Sequence, residues 1–293
     1  MSSRTMAVEQ SDERDAVRAH LAGMWSAVAG GWARHADDAD ARGAHSAERM
    51  LELAEVGEGD RVLELACGPG GLGLAAAARV GPAGVIVLSD VAEEMTAIAA
   101  ARGAELGLGN IDVRRLEIER IDEPDASYDV VLCREGLMFA LEPGRAVAEI
   151  RRVLRPGGRA VVAVWAARER NPWLGLLMDA VSAQIGAPVP PPGIPGPFAL
   201  GDAGELRRLF DGAGLADVHL GALSVPLRTA SFDEWWGRTS ALAGPLSAIL
   251  ASMPEEGVQA LRERARAAVR PYETATGGLA FPGETLIAAG RRA

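Results

Sequence analysis

The chain has 293 residues, of which 48% are apolar, and this is enough for one large or two small globular domains with a sizeable core. Its 30 basic and 40 acidic residues give a net charge of -10, which argues against nucleic acid or an anionic membrane surface as a partner. The sequence contains no lysine, so a Schiff-base lysine, a Walker phosphate lysine and a lysine general base are excluded.

Two cysteines, Cys67 and Cys133, provide neither a disulfide framework nor a metal-ligand spacing. No uninterrupted apolar stretch comes near the roughly 18 residues of a membrane span, and the first residues lack the apolar core of a signal peptide. We therefore expect a cytoplasmic protein with no metal site. A homodimer stays open. The Ala/Arg-rich composition is typical of a GC-rich bacterial source.

The N-terminal region is predicted to be helical. Residues 15–56 form two apparent pieces, which break near Gly30-Gly31 and again at the polar stretch Asp37–Asp40. We treat residues 1–45 as a helical cap whose simplest role is packing.

A glycine-rich turn follows the first predicted strand. The apolar run Val62–Ala66 precedes four glycines at positions 68, 70, 71 and 73, and the helix-like stretch LAAAARV comes next. The order of strand, tight turn and helix is typical of a nucleotide-binding site, and the pattern Gly68-x-Gly70-x-x-Gly73 matches a dinucleotide fingerprint. However, Glu64 inside the strand and the Ala66-Cys67 approach to the first glycine are not expected of that fingerprint.

The second strand is predicted over Gly84–Leu88 and ends at Ser89-Asp90, 17 residues after Gly73. An acidic side chain about 20 residues after the glycines commonly binds a ribose diol, so Asp90 is our candidate ribose ligand. It is equally placed to cap the helix predicted over Val91–Ala104.

Further elements alternate in the same way. The sequence predicts strands over Ile111–Arg115, Tyr128–Cys133 and Arg159–Trp165, with a helix over Pro143–Leu154 between the last two. After Ala166 come an apolar helix, a proline-rich connector and a helix over 203–213. Strands are predicted over Leu215–Val225 and Phe281–Ala289. The insertion at about 226–278 concentrates aromatic residues and could be simply a small helical subdomain. Together with the insertion at about 168–200 it is predicted to form a lid over an apolar pocket.

Two stretches carry a family resemblance. E-L-A-C-G-P-G-G at 64–71 resembles the first motif of class I S-adenosylmethionine (SAM)-dependent methyltransferases, and R-R-V-L-R-P-G-G-R at 151–159 resembles a second. From Leu51 to Trp165 the chain is similar to the ubiquinone/menaquinone C-methyltransferase-like group. The resemblance implies an α/β fold with a doubly wound, seven-stranded, mostly parallel sheet whose last strand is antiparallel. Residues 46–293 would then be the SAM-binding domain, carrying both lid insertions.

The resemblance also implies site residues. Glu64 is expected to bind the methionine ammonium, and Asp90 the ribose. Backbone or side-chain contacts to the rest of the cofactor are implied for Ala66, Cys67, Gly68, Gly70, Val91, Met95, Glu117, Ile118 and Cys133. The cap would bring Trp32 and His35 near the substrate.

The implied reaction transfers a methyl group to a small apolar or aromatic metabolite, by O- or C-methylation. A base is needed only if the acceptor binds protonated. The two candidates are His35 and Glu135, although Glu135 could instead pair with an arginine such as Arg134. Two alternatives stay open: a SAM-binding protein with a regulatory or non-methyl-transfer role, and an NAD-dependent oxidoreductase that uses Gly68, Gly70, Gly73 and Asp90.

Overall fold

The computed structural model describes residues 3–293, with side chains for residues 14–244 and 246–293. Residues 1–2 of the predicted cap lie outside this range. The helices are α1 (Ser3–Arg34), α2 (Ala36–Leu53), α3 (Gly71–Val80), α4 (Glu93–Glu105), α5 (Pro143–Val153), α6 (Pro172–Ile185), α7 (Ala203–Gly212), α8 (Phe232–Leu242), α9 (Gly244–Ser252) and α10 (Glu255–Val269). The strands are β1 (Arg61–Leu65), β2 (Val85–Asp90), β3 (Ile111–Arg115), β4 (Tyr128–Arg134), β5 (Leu154–Trp165), β6 (Leu215–Ser224), β7 (Leu227–Thr229), β8 (Leu279–Phe281) and β9 (Glu284–Arg292).

Seven strands form one sheet in the order β3-β2-β1-β4-β5-β9-β6. The strands β1 to β5 pair in parallel, whereas β9 runs antiparallel to both of its neighbours, β5 and β6. The predicted α/β fold class is therefore confirmed. The strand order reverses between β1 and β4, and ligands of doubly wound sheets bind at the carboxyl ends of the strands beside such a reversal.

The central strands β1, β2 and β4 are buried on both faces of the sheet, as their nearly continuous apolar sequences predict, whereas the edge strands β3 and β6 are partly exposed. One face packs against α2, α3 and α4 in a core that includes Met50, Leu72 and Ala99. The other face packs against α5 and α7 through Ile150, Phe210 and neighbouring residues.

The two lid insertions pack on each other in a third apolar core. The helices α6, α8 and α10 meet around the fully buried Trp235, whose indole nitrogen donates a hydrogen bond of 2.9 Å to the carbonyl oxygen of Trp173. The short strands β7 and β8 form a separate two-stranded sheet in this region. The single strand predicted over 281–289 is thus two strands, because Pro282-Gly283 interrupts it and β8 pairs with β7.

The helix α1 is continuous through Gly30-Gly31, where the sequence predicted a break. A Cβ on Gly31 would lie 2.3 Å from the carbonyl oxygen of Ala241 at the end of α8. The glycine therefore permits close packing of the cap against the lid. The break falls at His35 instead. None of the helices in the described part of the chain has both the length and the apolar character to cross a bilayer.

Candidate active site

The glycine loop leaves β1 through backbone conformations that few residues adopt. Ala66 has φ 52°, and Gly68 and Gly70 have φ 52° and 87°, before α3 begins at Gly71. The turn is closed by a hydrogen bond of 2.8 Å from the Gly70 amide to the Cys67 carbonyl oxygen. A left-handed alanine is unusual, and such strain is common where a backbone is shaped for a ligand.

Glu64 is buried beneath this loop, with only 1% of the residue exposed. One carboxylate oxygen accepts a hydrogen bond of 2.8 Å from the backbone amide of Gly73, in the first turn of α3. Burial raises the pKa of Glu64 to about 8, although the positive charge of Arg134 and the Gly73 amide oppose the rise. A cation placed beside this carboxylate would restore its ionised form.

Asp90 ends β2 on the other side of the loop. Its carboxylate accepts one hydrogen bond of 3.0 Å from the Gly68 amide and another of 3.0 Å from the Ala92 amide. Burial raises the pKa of Asp90, and these amide donors work against the rise. The helix α4 begins only at Glu93, so Asp90 holds the loop and the helix entry together without being the capping residue.

Both carboxylates border a cavity of about 570 Å³ at the carboxyl ends of the strands. Most of the residues predicted to bind the cofactor line it: Glu64, Ala66, Cys67, Gly68, Asp90, Val91, Met95, Glu117 and Ile118. Glu117 is exposed at the rim, whereas Met95 and Val91 lie deeper. The volume is within the usual range for small-molecule sites.

Two predicted cofactor residues do not line the cavity. A Cβ on Gly70 would lie 2.9 Å from the Cβ of Ala99, so this glycine lets α4 approach the loop. Cys133 is fully buried in the core that also contains Leu65 and Val131, and its burial raises the pKa of the thiol to about 12. The prediction that its side chain lines the cofactor site is wrong, because Gly136, on which a Cβ would lie 3.0 Å from the Cys133 sulfur, packs closely against it and the thiol is fully buried.

Of the two candidate bases, His35 is not at the cavity. It lies between α1 and α2, where its Nδ1 is 3.1 Å from a carboxylate oxygen of Asp38. Glu135 does line the cavity, directly after β4, and it has φ 59°. Its amide donates a hydrogen bond of 2.7 Å to the carbonyl oxygen of Ala163 on β5, which fixes its position at the carboxyl end of β4.

Glu135 lies in closely packed, charged surroundings. The following residue, Gly136, has no room for a Cβ, which would lie 2.4 Å from the Cβ of Ala66. Burial raises the pKa of Glu135, and the charges of Arg134 and Arg42 oppose the rise. Glu135 makes no ion pair within 4 Å among the described side chains; Arg134 instead lies 3.6 Å from Asp40. The alternative of a Glu135–Arg134 pair is therefore wrong.

Sequence reasoning missed Asp40, which α2 places on top of the glycine loop. Its carboxylate is 2.7 Å from Arg102, and Arg102 also donates a hydrogen bond of 2.8 Å to the Pro69 carbonyl oxygen. A Cβ on Gly71 would overlap the Asp40 carboxylate, at 1.7 Å from an oxygen. Gly71 lies outside the fingerprint spacing, and this extra glycine was the available signal.

The far half of the cavity is apolar and aromatic. Trp165 and Trp173 line it with Leu174, Met178, Val189 and Leu246 from the lid. Trp25 and Phe139 also line the cavity, but Trp25 packs beside Met95, in the cofactor half. Trp25 packs edge-on to Phe139 at 4.8 Å between ring centroids, and Trp165 packs edge-on to Trp173 at 5.3 Å. Arg42, also missed from the sequence, reaches this half from α2. In the described residues, no cluster of three or more histidine, cysteine or carboxylate groups is arranged to hold a metal ion.

Comparisons with known proteins agree with this architecture. Residues 62–158 match a methyltransferase domain family. The ubiquinone/menaquinone biosynthesis C-methyltransferase UbiE of Ralstonia nicotianae is 32% identical over 190 residues, which are 60% of this chain and 77% of the relative. The chain belongs to the class I SAM-dependent methyltransferases.

The chain aligns with a smaller part of other relatives. UbiE of Ectopseudomonas mendocina is 35% identical over 133 residues, which are 45% of this chain and 52% of the relative. The chain thus spans about half the length of the first curated relatives that it matches.

Two solved structures share the fold. The YcgJ protein from Bacillus subtilis has a TM-score of 0.58 and 22% identity, with 85% of this chain and 98% of that chain covered. A putative methyltransferase from Bacillus halodurans has a TM-score of 0.55 and 18% identity, with 84% and 98% covered. The family assignment favours SAM over the NAD alternative for the glycine loop.

Proposed function

We propose that this methyltransferase transfers a methyl group from SAM to a small apolar or aromatic acceptor, by O- or C-methylation. The observation that carries the proposal is the position of Glu64 and Asp90 on either side of the glycine turn. Both open on a single cavity whose far half is aromatic. That arrangement provides anionic ligands for a cationic, ribose-bearing molecule next to an apolar compartment for a second reactant.

The cofactor half of the cavity fits SAM by its chemistry. Glu64 would bind the methionine ammonium, backbone groups of Ala66, Cys67 and Gly68 would contact the methionine part, and Asp90 would accept hydrogen bonds from the ribose hydroxyls. Val91, Met95 and Ile118 supply apolar surface for the adenine, with Glu117 at the rim. When bound, SAM supplies a methyl group already activated by a sulfonium, with a neutral thioether as leaving group.

The chain's own contribution is alignment and exclusion of water. We propose that residues 1–45 act as a cap and that residues 168–200 and 226–278 act as a lid over the acceptor. Positioning of two reactants in this way is worth about 7–11 kcal/mol in well-oriented systems. Glu135 is the proposed base for an acceptor that binds protonated, because it lies at the end of β4 and faces the cavity.

The first test is calorimetric titration with SAM, S-adenosylhomocysteine and NAD in parallel. Micromolar binding of the first two and none of NAD supports the proposal, whereas binding of NAD alone overturns it. Methyl-labelled SAM is then incubated with quinols, phenols and polyketide-like acceptors. Labelled product supports methyl transfer. Tight cofactor binding without product from any acceptor favours the alternative of a SAM-binding protein with another role.

A further inference from the structure

Arg42 is the most unusual charged side chain of the far half of the cavity. Its guanidinium carbon lies 4.0 Å from the centroid of the Trp173 ring and 4.9 Å from that of Trp165. One terminal nitrogen donates a long hydrogen bond of 3.3 Å to the carbonyl oxygen of Val225. The Nε atom is buried and has no hydrogen-bond partner among the described residues. Arg42 therefore has N–H groups that donate no hydrogen bond to the described part of the protein.

The charge of Arg42 is also not neutralised directly. No carboxylate of the described side chains lies within 4 Å of it, although Glu135 is near enough to favour its charged form. A second arginine, Arg238, also borders the cavity and repels Arg42. Arg238 has partners of its own, since it lies 3.4 Å from Glu234 and 3.8 Å from Asp38.

Burial lowers the pKa of Arg42 to about 10, which still leaves the guanidinium positive at neutral pH. A buried cation without a direct counter-ion is costly, and buried charges are ordinarily paired. The two adjacent indole rings attract the cation, but they offer it no hydrogen-bond acceptor. What is missing is an anionic oxygen.

We propose that the acceptor is an aromatic molecule bearing a carboxylate, and that Arg42 binds this carboxylate while Trp165 and Trp173 pack against the ring. This inference rests on the proposed function, since it names the acceptor class of the same cavity. A planar guanidinium matches a carboxylate by two parallel hydrogen bonds, which fixes the orientation of the ring as well as its position.

The test compares two probes of the same size, 2-naphthoate and its neutral amide 2-naphthamide, with the protein saturated with S-adenosylhomocysteine. Their dissociation constants are measured from the emission of the cavity tryptophans. We expect 2-naphthoate to bind wild-type protein at least about tenfold more tightly than 2-naphthamide, as for one charge-assisted contact. In Arg42→Gln this preference disappears, while in Arg207→Gln it persists, because Arg207 is an exposed residue of α7 paired with Asp211.

Any of three results would overturn the proposal. These are equal binding of the two probes by wild-type protein, no measurable binding of 2-naphthoate by wild-type protein, and a preference that survives in Arg42→Gln. The wild-type comparison needs no variant, so equal binding of the two probes overturns the proposal even if Arg42→Gln folds poorly. If S-adenosylhomocysteine fails to bind wild-type protein, the proposed function fails, and the same probes used alone still test the carboxylate site. If the cofactor product binds but the preference is absent, the carboxylate proposal alone fails.

Discussion

Replacement of Glu64 by glutamine measures how much the burial of one carboxylate lowers the free energy of unfolding. The side chain is almost fully buried and its pKa is raised from the ordinary 4.5 to about 8, chiefly by desolvation. Glutamine keeps an oxygen to accept the hydrogen bond from the Gly73 amide but carries no charge to desolvate.

The size of the effect on the free energy of unfolding follows from the magnitude of the pKa shift of Glu64, and its pH range follows from the direction of that shift. Below pH 4.5 the folded and unfolded chains both hold the proton, so Glu64 contributes nothing to the pH dependence. Between pH 4.5 and about 8 the unfolded chain releases the proton while the folded chain retains it, and the free energy of unfolding falls. At about 1.4 kcal/mol for each unit of pKa, the full loss above pH 8 is roughly 5 kcal/mol.

Glu64→Gln removes this loss. We expect the variant and the wild-type protein to have similar free energies of unfolding at pH 4.5. The variant should be more stable by about 3 kcal/mol at pH 7 and by roughly 5 kcal/mol at pH 9. Urea denaturation of the cofactor-free proteins at these three pH values measures the difference. The control is Glu105→Gln, an exposed residue at the end of α4, for which we expect less than about 0.5 kcal/mol at any of them.

A difference between Glu64→Gln and wild type that is the same at pH 4.5 and pH 9 would refute the raised pKa of Glu64. The same variant tests its role in binding, because loss of a charged acceptor should weaken SAM binding by about 1.5–3 kcal/mol. If Glu64→Gln is more stable than wild type but binds SAM more weakly, then Glu64 is a residue that lowers the stability of the fold in order to bind a ligand.

Three further outcomes are expected. Asp90→Ala should weaken SAM binding by about 1–3 kcal/mol in calorimetry, and unchanged affinity would remove Asp90 from the site. Gly31→Ala should destabilise by about 1–3 kcal/mol in thermal unfolding because its Cβ would meet the lid backbone. Gly23→Ala in the same helix, with nothing within 4 Å, should stabilise by about 0.5–1 kcal/mol, and equal effects would contradict the packing of cap on lid. S-adenosylhomocysteine should slow alkylation of Cys67, read by mass spectrometry, while Cys133 stays unmodified in folded protein; rapid labelling of Cys133 would contradict its burial.

The cofactor half could be predicted largely from the sequence because its geometry is local. A strand, a tight turn and a helix in succession bring Glu64 and Gly73 together, since nine residues separate them and the turn reverses the chain. Asp90 follows from the next strand in the same register, where Glu64 pairs with Leu88. Short separation along the chain leaves few ways for these groups to be arranged.

Cys133 shows where the same reasoning fails. The strand β4 is apolar at nearly every position because both faces of the sheet are buried, so no alternation reveals which side chains face the cavity. Only the register of β4 against β1, which pairs Leu65 with Cys133, places that side chain in the core. The next residues, Arg134 and Glu135, reach the cavity instead.

The positions of Asp40 and Arg42 at the cavity could not be predicted from the sequence for another reason. The polar stretch at 37–40 favours a helix break when read alone, but its acidic residues lie in the first turns of α2, where the helix dipole favours them. The docking of α2 over the strand ends brings Asp40 onto the glycine loop and Arg42 over the adjacent rings of Trp165 and Trp173. That docking depends on contacts with residues more than 50 positions away, such as Arg102 and Trp165.

Charges of both signs line the resulting cavity. Arg134 lies near enough to Glu64 to oppose the rise of its pKa, and Glu135 lies near enough to Arg42 to favour its charged form. In a largely buried site, screening by solvent is weak, so each unpaired charge favours a ligand group of the opposite sign. If both proposals hold, the ammonium of the cofactor lies beside Glu64 and the carboxylate of the acceptor beside Arg42, so that each ligand charge meets a protein charge of the opposite sign.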